Sequence, residues 1–383
     1  MVMPPSVLVL ANDVTPGSGL PVAAPGLRAH GLAVGLREQG FEVTTILSQR
    51  LMDELWAGAT PPSTQPGTVI LNGAALSDFI ETHAPVTVVM TNSNQIEFLG
   101  PIQGVRYIFD FFAPKMLERA YQFGDEGAEE LMRSLRQRKL RALELADGIA
   151  INGAKKVPYV LAWLLQLERD LRSVPTAVVN MAVNGVSHHG SGDDPLRLAV
   201  AGYLQGWSLP GPWMGVLRTA IEGSDRFALE LLLPTHWGQH RDDLQSDEVS
   251  AMTSLENVTV HPTMRFSEFQ DFMAGVDVAV DLFDWSLERE YAMVTRTVVA
   301  LACGVPVIHP PFTEVAPFID EYDAGWLVAA SDLAGIEQLL ATLDRAEAAR
   351  KSANAVRLWN DVFRPSTAAL PLVELIHRIW GES

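Results

Sequence analysis

Short apolar runs of strand length alternate along this chain with helical stretches, and nothing else restricts the fold as strongly. Val7–Ala11 is an uninterrupted apolar run, followed by a turn at Asn12-Asp13 and a glycine-rich loop, Pro16-Gly17-Ser18-Gly19. A helical pattern runs from about Leu27 to Gln39, with Leu27, Leu32, Ala33 and Leu36 on one side, and Gly40 stops it. Phe41–Leu47 then reads as a second strand. A strand, a helix-length crossover and another strand predict parallel pairing, since parallel neighbours need a long connection. Parallel sheets are covered on both faces, so their strands are continuously apolar rather than alternating.

The series continues with strands at Val69–Leu71, Thr87–Met90, Tyr107–Asp110 and Gly148–Ile151. A charged helix from roughly Gly127 to Ala146, bearing Arg133, Arg136, Arg138 and Lys139, separates the last two. The first half ends near Ala177–Asn180. The stretch from Asn184 to Pro195, rich in Gly, Ser, Asp and His, has the composition of an interdomain linker, and His188-His189 within it read as solvated. A second series then begins. Its strands are Leu198–Gly202, Ala228–Leu233, Val258–Val260, Val276–Val280, Val305–Ile308 and Trp326–Val328, with helices at Trp213–Glu222 and Phe266–Met273. Arg357–Trp380 reads as one or two terminal helices. The reading is α/β: two doubly wound, Rossmann-like domains, 1–183 and 184–360, followed by a terminal segment, 361–383. Ligand is expected at the carboxyl ends of the strands. At 383 residues the chain exceeds what one core normally serves, which also argues for two domains.

Charge removes several function classes. The formal net charge is -18, which argues against nucleic acid and against a broad grip on anionic lipid. Any phosphate site must then be local, made of a few arginines and helix N-termini. The single cysteine, Cys303, allows no internal disulfide and reads as a small buried hydrophobe. Met1–Pro5 lacks a basic leader pattern, and no uncharged apolar run reaches membrane-spanning length. The expectation is a cytoplasmic protein without stable membrane insertion.

The chemistry concentrates between Leu287 and Ile308. Glu288 and Glu290 lie in a loop, an Arg-bearing, Ala-rich helix follows, and Gly304-Val305-Pro306 closes that helix before a buried strand. A carboxylate ahead of a helix N-terminus suits a sugar attached to a diphosphate: the acid takes hydroxyl donors, and the helix end with Arg296 takes anionic oxygens. Glu288 is the first candidate for the hydroxyls and Glu290 the fallback; a solvated ion pair between Glu288 and Arg289 is the simpler alternative. Gly17, Gly19 and Gly26 would let backbone amides approach a ligand after the first strand, or merely serve the turn. Arg28 reads as a surface residue. Asp110 and Glu118 read equally as acceptor-side or structural acids. Trp207, Trp213 and Trp237 follow strands of the second series, as stacking platforms or core.

Several segments, in order, resemble a bacterial subgroup of GT-B glycosyltransferases of the retaining, family-4 type. A Gly-Pro-Gly-Ile-Arg segment of that subgroup, leading into Gly-His-x-Val-Thr, is matched by Ala24-Pro25-Gly26-Leu27-Arg28 and Gly40-Phe41-Glu42-Val43-Thr44. Its mid-domain Asp and Pro-x-x-x-Glu are matched by Asp110 and by Pro114 to Glu118, and its Leu-Glu…Thr-Arg…Gly-x-Pro by Leu287-Glu288, Thr295-Arg296 and Gly304-Val305-Pro306. The chain departs from the family at the usual glutamate pair, where Tyr291 and Val299 stand. It departs after the first C-domain strand, where Gly202–Trp207 lacks the usual basic pair, and at an N-domain histidine replaced by Asn92-Ser93-Asn94.

The resemblance implies the GT-B fold, with a cleft between the domains and a last helix crossing back to the first. It implies an acceptor-side first domain and a donor-binding second domain. It implies transfer of a sugar, with retention, from a UDP-, GDP- or dTDP-linked donor to a hydroxyl of a carbohydrate or natural product, without cofactor or metal. In that chemistry the donor phosphate takes the acceptor proton. Glu288 and Arg296 are the implied catalytic residues. Gly17, Gly19, Gly26, Arg28, Gly202, Glu290 and Thr295 are the implied donor-site residues. A sugar-nucleotide epimerase, or a non-catalytic carbohydrate-binding or partner subunit on the same fold, stays open, as does a homodimer.

Overall fold

The computed structural model describes residues 6–55, 66–122, 128–167, 169–192, 195–202, 211–233 and 247–381. The chain divides into two compact units, Met1–Val183 with Arg364–Ser383, and Asn184–Phe363.

The first unit is built on a seven-stranded sheet. Its strands are β1 (Ser6–Ala11), β2 (Val43–Ser48), β3 (Thr68–Leu71), β4 (Val86–Met90), β5 (Val105–Phe111), β6 (Gly148–Ile151) and β7 (Thr176–Val178). They lie in the order β3-β2-β1-β4-β5-β6-β7, and every pairing is parallel. The order reverses between β1 and β4, which places a switch point beside the β1 loop. Leu8, Val88, Phe109, Ile149 and Leu143 are fully buried in one cluster. Each such side chain contributes roughly 1.5–3 kcal/mol by leaving water.

The second unit repeats the plan with six strands. These are β8 (Leu196–Ala201), β9 (Phe227–Leu232), β10 (Val258–Val260), β11 (Val278–Val280), β12 (Val307–His309) and β13 (Gly325–Leu327), in the order β10-β9-β8-β11-β12-β13, again all parallel. Leu198, Leu229, Val278 and Ile308 pack against Met214 and Leu217 from the helix Trp213–Ile221. Trp213 is in this core, not on a binding rim.

The helix expected from Arg357 begins earlier. Arg345–Leu358 is one helix, with Asp344 capping the Glu347 amide, and a π-helical turn, Trp359–Phe363, follows it. The chain then rejoins the first unit. Gln39 Nε2 donates to Ser366 O at 2.8 Å, and the indole of Trp380 donates to Thr87 Oγ1 at 2.9 Å. Among the described residues no helix is long and apolar enough to cross a membrane.

Candidate functional site

In the second unit the polar side chains gather at the carboxyl ends of β11 and β12. Asp281 directly follows β11, and His309 ends β12. Asp281 accepts from Arg296 Nε at 2.6 Å and from Thr297 Oγ1 at 2.5 Å. Burial works against its charge, but Arg296, His309 and these hydrogen bonds outweigh it and hold the carboxyl below its ordinary range. His309 is fully buried between Thr297 Oγ1, 3.2 Å from Nδ1, and Thr313 Oγ1, 2.8 Å from Nε2. Burial, reinforced by Arg296 and Arg289 and opposed by Asp281, pushes its pKa down to about 4, so the ring is neutral at pH 7. Thr297 gives its proton to the shorter contact, Asp281, which assigns the His309 ring hydrogen to Nδ1.

Arg296 is thereby aimed. One edge of the guanidinium holds Asp281, and the other faces Gly202, just after β8. A Cβ at Gly202 would lie 2.7 Å from Arg296 Cδ and 3.0 Å from Nη1, so any side chain there displaces the guanidinium. The backbone of Gly202, at φ 136°, is likewise one that side chains rarely adopt. Arg296 is in the first turn of the helix Thr295–Ala302, whose N-cap residue Val294 gives no side-chain cap. The first-turn amides of Thr295, Arg296 and Thr297 therefore present donors and the positive end of the helix dipole beside a guanidinium. Gly304, at φ 71°, ends this segment, and Cys303 is buried and free.

Glu288 is not in a loop and not solvated. It belongs to a short helix, Leu287–Glu290, capped by Ser286. It is 1% exposed, and Arg289 takes both carboxylate oxygens, at 2.5 and 2.9 Å. A sugar hydroxyl would have to share them. Phe283 is buried, with the Arg289 and Arg296 guanidinium carbons 5.2 and 5.8 Å from its ring centre. Glu290 accepts from the indole of Trp285, which is 62% exposed.

The first-unit candidates fall into place differently. Arg28 is not on the surface: it is 0% exposed, donates twice to Asp110 at 2.9 and 2.8 Å, and donates to Asn180 O at 2.6 Å. The pair ties the Ala24–Glu38 helix to β5. Arg28 takes both carboxylate oxygens of Asp110, which is itself buried. Glu118 pairs with Lys115 at 3.0 Å. Gly26 packs against the β1 loop, where a Cβ would lie 1.8 Å from the Val14 carbonyl oxygen. Gly17 and Gly19 turn that loop at positive φ. His188 is not solvated either; its ring bonds Val276 O at 2.8 Å and Ser352 Oγ at 3.1 Å. Trp207, Trp237 and the stretch 203–207 lie outside the described residues.

Asp281, Thr297, His309 and Thr313 were not singled out from the sequence, although an acid directly after Val276–Val280 stands where parallel-sheet ligands bind. Among the described residues no cluster of three or more His, Cys, Asp or Glu is arranged to hold a metal ion.

No known family profile and no curated protein sequence matches the chain. Solved structures do. Sucrose-phosphate synthase from Thermosynechococcus elongatus superposes with a TM-score of 0.65 at 15% identity, over 99% of this chain and 100% of that one. Anabaena HepE in complex with UDP and glucose gives 0.63 at 12% identity, over 96% and 98%. An alpha-glucosyltransferase in complex with UDP and a 13-mer DNA gives 0.61 at 12% identity, over 97% and 99%. Two parallel-sheet, Rossmann-like units and these superpositions establish that the chain has the GT-B fold.

Proposed function

We propose that this protein is a glycosyltransferase that moves a sugar from a nucleotide-linked donor to a hydroxyl acceptor with retention of configuration. The second unit takes the donor. The observation behind this reading is Arg296, held by Asp281 against Gly202 beside an uncapped helix N-terminus at the carboxyl edge of the sheet. In a protein of formal charge -18, that arrangement supplies the local positive field a diphosphate needs. Structural neighbours with the same fold hold UDP, which makes UDP the first diphosphate to try.

Catalysis in this reading is positioning plus stabilisation of the leaving diphosphate. The guanidinium of Arg296 and the amides of Thr295 to Thr297 receive the charge that develops on the diphosphate. The donor phosphate takes the acceptor proton, so no protein nucleophile is required. Neutral His309 donates to the Thr297 hydroxyl, which in turn donates to Asp281.

The test is thermal shift with UDP, GDP, dTDP and ADP, since a ligand specific to the native state raises its melting temperature. One diphosphate should stabilise the wild type. Arg296→Gln should abolish the shift and Arg296→Lys restore it only in part, because Lys lacks the bidentate fork. No response to any of the four at millimolar concentration would sink the reading. Product anomeric configuration by NMR then tests retention.

A further inference from the structure

At the carboxyl edge of the first sheet, Lys139 is only 3% exposed, and no ion pair reaches it among the described residues. Its ammonium sits 3.9 Å from the ring centre of Phe111, 5.6 Å from that of Trp163 and 6.0 Å from that of Phe109. Lys115 and Lys156 act on it electrostatically as like charges, and Glu118 as an opposite one. Glu118 already pairs with Lys115 at 3.0 Å. Lys156 is itself buried, donating to Phe112 O and Asn152 O at 2.7 and 2.6 Å. Asp13, on which Lys115 acts electrostatically, is buried too; its Oδ1 accepts from the Val14 amide at 2.7 Å.

Among the described residues, Ser18 Oγ in the β1 loop and Asn152 Oδ1 after β6 are buried without a hydrogen-bond partner. Two lysines thus bear on a buried third in a strongly acidic protein, and Asn152, whose carbonyl takes Lys156, has a side-chain oxygen without a partner among the described residues. For packing alone, a methionine among three aromatic rings would serve as well as Lys139 and avoid burying a charge. The Lys115 side chain, 35% exposed, connects the cluster to solvent.

We propose that this edge of the first unit holds the acidic group of an anionic acceptor, a carboxylate or a phosphate, with Lys139 as its charge partner. The proposal names the acceptor class for the reaction above and rests on that reading. Lys115 and Lys156 add to the attracting field. The aromatic rings around Lys139 lower the local dielectric, which strengthens a charge-assisted contact once the anion is in place. A neutral sugar leaves Lys139 unpaired and gains nothing from it.

The experiment uses the full chain carrying Arg296→Gln, so that anion binding at the donor site does not enter. Calorimetry and thermal shift are run with inorganic phosphate, glucuronate and glucose, with and without Lys139→Met. The expected result is stabilisation by phosphate or glucuronate and not by glucose, with about a tenfold or greater loss of affinity in Lys139→Met. Whichever anion binds more tightly identifies phosphate or carboxylate as the group recognised. Equal response to glucose, no response to either anion at tens of millimolar, or unchanged affinity in Lys139→Met overturns the proposal. If Lys139→Met does not fold, Lys139→Gln serves for the same comparison. Failure of diphosphate binding in the wild type would strike the donor site and leave this result readable.

Discussion

At the carboxyl edge of the second sheet, Arg296 and Arg289 each hold a carboxylate, and both guanidinium groups approach the ring of Phe283. At the matching edge of the first sheet, Lys139 faces aromatic rings, and Asp13 binds its neighbour's amide. The pKa consequences are opposite. Pairing with Arg296 and its neighbours overcomes burial and keeps Asp281 ionised well below neutral pH. Burial raises the Asp13 carboxyl to about 7, against the Val14 amide and Lys115, and lowers the Lys139 ammonium to about 7, opposed by Glu118 and reinforced by Lys115 and Lys156. One edge therefore carries fixed charge, as the proposed site for an always-ionised diphosphate requires. The other holds a carboxyl and an ammonium that both titrate near neutrality.

The largest expected effect comes from breaking the fixed edge. Asp281→Ala strands Arg296 and the Thr297 hydroxyl, and should cost roughly 3–5 kcal/mol of stability. Urea denaturation measures this; a loss under ~1 kcal/mol would mean that the pair is solvated in solution.

Next is the pH dependence of His309. Its folded pKa, about 4, lies below the ordinary 6.5, so the unfolded chain binds a proton first as pH falls. Stability is whole above 6.5, falls between 6.5 and 4, and loses about 3 kcal/mol in all. His309→Gln should lack this component, and parallel pH profiles for the two proteins would refute it.

The titratable edge should respond with the other sign. Lys139→Met should raise stability by roughly 1–4 kcal/mol, because it removes a buried charge without a counter-ion. The gain should be full at neutral pH and shrink as pH rises toward 10.5, where the unfolded lysine also loses its proton. A destabilised Lys139→Met would erase the contrast between the two edges. Smallest is Ser18→Ala, which deletes a buried hydroxyl without a partner and should add about 1 kcal/mol.

The strands were legible because parallel strands are written as continuous apolar runs: Gly148–Ile151 forms β6 with the expected bounds, and Val86–Met90 extends the predicted run by one residue. Helix faces were less legible. The helix Ala24–Glu38 buries Gly26, Leu27, Arg28, Ala29 and Gly31 in near succession, so it has no polar side on which Arg28 could be told from a surface residue. Lys139 had the same problem among the arginines of the Ala128–Leu145 helix, where only tertiary contact separates a buried lysine from a solvated one.

Glu288 shows a different limit. The sequence anticipates a solvated ion pair with Arg289, but the motif gives no hint that the pair is buried with both carboxylate oxygens taken. Asp281 went unnoticed because its partners, Arg296 and His309, are distant in sequence and meet it only once β11 and β12 are paired.

The return of the chain to the first unit has a consequence for synthesis. The second unit is one continuous segment, Asn184–Phe363, whereas the first needs Arg364–Ser383 as well as Met1–Val183. Because domains fold as units while the chain emerges, the sheet of the first unit leaves the ribosome early but waits for the residues that bring Ser366 to Gln39 and Trp380 to Thr87. Of the two units, the one that starts earlier along the chain is the one completed later.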